Sequence, residues 1–192
     1  GQINDYLAFN TGPRADTHVI NSGTNDLIVA SIMDPFTAAS GNHVVTTEIV
    51  QGFRRYWLQE KGNSVASYTN YIVENYLAAN IGMAIDRLQG VGESNIVVIG
   101  FLDFSVTALA NLEAGDLDPG RKERANLAVQ LANIAVQKVC REKEVYFIDV
   151  HDIPMITIDE IHPADITNLL VSNRVRAAGL GRRDTPDQLP IK

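Results

Sequence analysis

The stretch Asn95-Ile96-Val97-Val98-Ile99-Gly100-Phe101 decides the fold. Its aliphatic core is wholly β-branched and shows no alternation with polar residues, so it reads as a strand covered on both faces, as in a parallel sheet between helical layers. Two shorter runs of the same kind lie either side of it, His18-Val19-Ile20 and Val145-Tyr146-Phe147-Ile148-Asp149-Val150.

Helical spacing fills the gaps between these runs. Tyr68, Ile72, Tyr76, Ile81, Ile85 and Leu88 recur every three to five residues, and Gly90 and Gly92 supply a helix stop. A second helix is expected over 120–141, with Leu127, Leu131, Ile134 and Val139 facing the sheet. A third is expected after Pro163, a residue suited to a helix's first turn, with Ile166, Leu169, Leu170 and Val175 as its apolar stripe. Alternating strands and helices make an α/β domain of three α/β/α layers around a flavodoxin-like parallel sheet with right-handed crossovers.

The chain of 192 residues reads as a single domain over 1–192. Residues 34–63 fit the alternation least and read either as an insertion or lid, or as an ordinary pair of surface helices. Hydrophobic residues at 45% and charged residues at 20% are those of a globular protein. A net charge of -7 without a Lys/Arg cluster argues against nucleic acid as a partner. The single cysteine, Cys140, sits in an apolar helical pattern and reads as a buried structural thiol. No run is long enough to span a bilayer, and Gly1-Gln2-Ile3-Asn4 has neither the basic nor the apolar region of a signal peptide.

Ligands of a parallel sheet bind beyond the carboxyl ends of its strands, so the residues there come first. After the first strand comes Ser22-Gly23-Thr24-Asn25-Asp26. Gly23 permits a tight turn, and the Asn25 amide can donate into a cleft, although the same residues also make a plain turn and helix cap. After the last strand comes Asp159-Glu160-Ile161-His162-Pro163. A carboxylate three residues before a histidine can orient one ring nitrogen while the other serves as a general base; a surface ion pair is the alternative.

Together and in this order, the two motifs resemble the third and fifth sequence blocks of the SGNH (GDSL-like) hydrolases. Tyr6-Leu7-Ala8, Arg14-Ala15-Asp16, Gly100-Phe101-Leu102-Asp103 and Tyr146-Phe147-Ile148-Asp149-Val150 extend the resemblance towards the lipase/esterase branch. The resemblance implies a serine ester hydrolase with no cofactor and no metal, acting on a small-molecule or lipid ester. Asn25 would serve the oxyanion hole, Gly23 would support its turn, His162 would be the base and Asp159 its orienting partner; Asp26 would cap the following helix. The resemblance leans towards an exported protein.

The family's first block, a Gly-Asp-Ser on its first strand, and its second-block glycine do not occur before Gly23. Ser22, Ser64 and Ser105 each have the wrong setting for a nucleophile, and Ser40-Gly41-Asn42-His43 matches the family's initials only by accident. Two of the family's five strands are also expected to be missing, including the central one. The serine is therefore expected on an upstream fragment of the same protein. The alternative is a catalytically inactive SGNH-like binding protein that completes its sheet through a partner or a second copy.

Other classes fit less well. His18, His43, His151 and His162 lack paired metal-ligand spacing, although His151-Asp152 lies beside Asp149, where His151 reads as a hydrogen-bonded structural residue. No strand is followed by a glycine-rich phosphate loop, which argues against a nucleotide-binding module.

Overall fold

The computed structural model describes residues 8, 17–24, 27, 71, 73–93, 95–107, 121–158 and 163–178. The insertion expected over 34–63 lies outside them. The fold is α/β. Strands β1 (His18–Ile20), β2 (Ile96–Ile99) and β3 (Tyr146–Ile148) form a parallel sheet in the order β1-β2-β3. A π-helical segment, Val73–Ala78, runs into helix α1 (Ala79–Gly90); α2 (Arg121–Glu142) connects β2 to β3, and α3 (Asp165–Ala177) follows β3.

The pleat sends side chains alternately to the two faces. Ile20, Ile96 and Val98 join one core with the π-helical segment, α1 and α2, whereas Val97, Ile99 and Ile148 join another against Val171 and Val175 of α3. Helices therefore cover both faces. All four residues of β2 are buried, as the undiluted aliphatic run requires. At β1 the expectation of burial on both faces fails: Val19, on the α3 face, is 51% exposed. Among the described residues β1 is an edge strand, beyond the reach of the one helix on that face.

Two expected helical stripes are corrected. On α2 the buried positions are Ala125, Ala128, Val129, Ala132, Val136 and Cys140, while Leu127 is 38% and Ile134 65% exposed. Leu131 and Val139 of the expected stripe pack against that core, and the small residues of the buried face lie between helix and core where Leu127 and Ile134 were expected. On α3 the sheet side carries Thr167, Val171 and Val175, and Ile166, Leu169 and Leu170 are exposed. Thr167 fixes that rotation, because its hydroxyl accepts from the Ile156 N–H (2.9 Å) and reaches the Pro154 carbonyl (3.1 Å).

Before α1 the buried stripe differs from the one expected: Val73 and Leu77 lie four residues apart and continue through Ile81 and Ile85, whereas Tyr76 lies beside the stripe and is only partly buried. Tyr71 and Tyr76, five residues apart, meet edge to face at 5.8 Å. The expected stop holds: Gly92 (φ 90) adopts the left-handed conformation and its N–H returns to the Gln89 carbonyl at 2.9 Å.

Candidate functional site

Because the strands are parallel, the turns after β1, β2 and β3 emerge along one edge of the sheet. After β1, Gly23 has φ 105, a region that disfavours any residue with a Cβ. A Cβ there would overlap Leu77 Cδ1 and lie 3.5 Å from Phe101 Cζ. The Leu27 N–H donates to the Gly23 carbonyl at 3.2 Å and starts a helical turn. Gly23 thus occupies a tight turn that a larger residue would strain. Asn25 and Asp26 lie outside the described residues.

After β2, the chain is held from two sides. The Gly100 N–H donates to the Ile148 carbonyl at 2.8 Å. Asn133, buried in the middle of α2, accepts from the Phe101 N–H (2.8 Å) and donates to the Phe101 carbonyl (3.1 Å). Gly100 is required here, since a Cβ would lie 2.7 Å from Asn133 Oδ1 and 2.8 Å from Phe147 Cζ. Asp103 then caps the short 3-10 turn Phe104–Val106 by accepting from the Ser105 N–H at 3.0 Å. Ser105 is buried in that turn, whereas Ser22 is exposed.

After β3, the His151 N–H donates to the Asp149 carboxylate at 2.9 Å, and Arg174 of α3 pairs with Asp152 and donates to the Asp149 carbonyl at 3.1 Å. The guanidinium holds the Asp152 carboxyl below its ordinary pKa, chiefly through the hydrogen bond. His151 is only partly the hydrogen-bonded residue expected of it, because its Nε2 is buried without a partner. Among the described residues no His, Cys, Asp and Glu group is arranged to hold a metal ion. Burial pushes the Cys140 thiol up to about 12.

Asp159 and His162 lie outside the described residues, but the chain on both sides of them is described. Thr157 and Pro163 form an antiparallel bridge, and the Ala164 N–H donates to the Ile156 carbonyl at 2.7 Å. Pro163 therefore closes this loop instead of entering the first turn of α3, which begins at Asp165. The Asp-x-x-His loop is pinned at its base to the start of α3. Sequence reasoning missed Asn133 and Arg174; an asparagine amid the apolar positions of α2 was the one available sign of the former.

No known family model and no characterised protein matches the sequence. Among solved structures, a crystal structure of phospholipase A1 from Streptomyces albidoflavus NA297 is similar over 89% of this chain and 75% of that chain, with a TM-score of 0.48 and 18% identity. Among the described residues no helix is long and apolar enough to cross a membrane.

Proposed function

We propose that this chain supplies the base and oxyanion side of a serine ester hydrolase, with the nucleophilic serine on a segment not in this chain. The observation that carries the reading is the shared edge. The glycine turn leading to Asn25 and the pinned loop leading to His162 leave the same end of a parallel sheet, where such sheets bind ligands.

In this reading His162 takes the serine hydroxyl proton as the oxygen attacks the ester carbonyl, and Asp159 holds the ring's tautomer and steadies its charge. Asn25 donates its amide to the tetrahedral oxyanion. The intermediate collapses with loss of the alcohol, which takes the proton from His162; water then repeats the sequence on the acyl-enzyme. None of these steps uses a metal or an organic cofactor.

The test is hydrolysis of p-nitrophenyl esters by the protein carrying its serine segment. His162→Ala should remove the activity, and Asn25→Ala should lower kcat by about a hundredfold or more. Retention of full activity in both variants would refute the assignment.

A further inference from the structure

We infer that Asn133 is a positioning residue for the turn at Gly23, which precedes Asn25 in the sequence, and acts through Phe101. The inference rests on the hydrolase reading only for the function of that turn. Asn133 lies mid-helix in α2, is 9% exposed, and uses both polar atoms of its amide on the backbone of a single residue, Phe101. A buried asparagine committed in this way fixes the backbone at the carboxyl end of β2, because leaving either atom unpaired away from water is unfavourable.

What that clamp fixes is the Phe101 ring. Leu77 Cδ1 lies on the atom position that a side chain at residue 23 would need, and the Phe101 ring's Cζ lies 3.5 Å from that position, in ordinary contact. Gly23 is therefore packed near the Phe101 ring and the Leu77 side chain in a left-handed conformation, and Asn25 follows two residues later in the sequence. Leu77 reaches this place from the π-helical segment, and Phe101 is held by α2. Both neighbours of the turn are apolar, and the backbone of Phe101 is held by hydrogen bonds to a side chain of another element. A shift of about 1 Å in a catalytic donor can cost on the order of a hundredfold in rate, so such a support matters to chemistry beyond its share of stability.

Hydrogen exchange on the 192-residue chain tests this without requiring activity. The Leu27 N–H, which bonds to the Gly23 carbonyl, reports on the turn; the amides of Ile81, Ile85 and Leu88 in α1 report on general loosening. In Asn133→Leu, exchange at Leu27 should rise about tenfold more than at the α1 amides. Phe101→Leu should do the same, and the double variant should do no more than the larger single change. Equal changes at Leu27 and α1, or an effect of Asn133→Leu that Phe101→Leu does not share, would overturn the inference.

In the ester-hydrolysing form, Asn133→Leu should lower kcat about tenfold with KM within about twofold, because the oxyanion donor acts in the transition state. Unchanged kcat would also overturn it. A wild-type protein without esterase activity would instead defeat the hydrolase reading, and the exchange ratio would still decide the role of Asn133.

Discussion

The two faces of the sheet are built differently. On the face covered by the π-helical segment, α1 and α2, the contact is close and apolar: Val73, Ile85, Ala125, Ala128, Val129, Ala132 and Val136 are all 0% exposed. On the other face, α3 buries little of its own surface, and Leu169 remains 51% exposed. It is held by the packing of Val171 and Val175 and by the buried Thr167 hydroxyl, which is tied to the segment after β3. The candidate site draws on both. The Gly23 turn rests on the first, tightly packed face, and the segments that flank Asp159 and His162 in sequence are tied to α3 on the second.

This contrast orders the effects expected of substitutions. Leu77→Ala, on the packed face, should cost about 2–5 kcal/mol in chemical denaturation, since it leaves a cavity beneath Gly23. Thr167→Val should cost about 1–3 kcal/mol by leaving the Ile156 N–H without its acceptor, and it should speed proteolysis near 157–163 more than elsewhere. Asp152→Asn should cost less than about 1 kcal/mol, because the pair with Arg174 is solvent-exposed. The folded Asp152 pKa lies below its ordinary 3.8, so its contribution is present above that value and fades as pH falls through the lowered one. Leu169→Gln should change stability by no more than about 0.5 kcal/mol. A loss there as large as that of Leu77→Ala would show that α3 is covered in solution and would break the contrast.

Cys140 sharpens the picture of the packed face. Its thiol is raised from 9.0 to about 12 by burial, so a thiol reagent at pH 8 should label the denatured chain rapidly and the native chain only as it unfolds. Because the neutral thiol is the form favoured by folding, the cysteine's contribution is full below the ordinary value of 9.0 and is lost as pH rises from there to about 12. Rapid native labelling would place Cys140 at a surface.

Much of this architecture was legible in the residues. The β2 run announced a strand covered on both faces, and all four of its residues are buried. The limits of α2 were readable to within a residue or so from Gly120 and Arg141, against Arg121–Glu142 in the structure. Which face of a helix is buried was less legible. On α2 and α3 the large aliphatics drew the eye, but alanines occupy much of the buried face of α2 and a threonine hydroxyl set the rotation of α3. Those choices depend on partners distant in sequence, which no local period encodes. At the site, Gly23 was readable because a positive φ leaves a local mark, whereas the clamp of Asn133 on Phe101 joins residues 32 apart. Asn25, Asp159 and His162 lie outside the described residues, so their roles rest on the motifs.

The most direct test of the hydrolase reading is treatment of the purified protein with a fluorophosphonate serine-hydrolase probe, followed by intact mass of every polypeptide present, with His162→Ala as control. The account predicts that a polypeptide other than the 21.0 kDa chain gains the probe mass, and that the control does not. A sample in which no polypeptide is labelled, or in which His162→Ala is labelled as fast as the wild type, would contradict it.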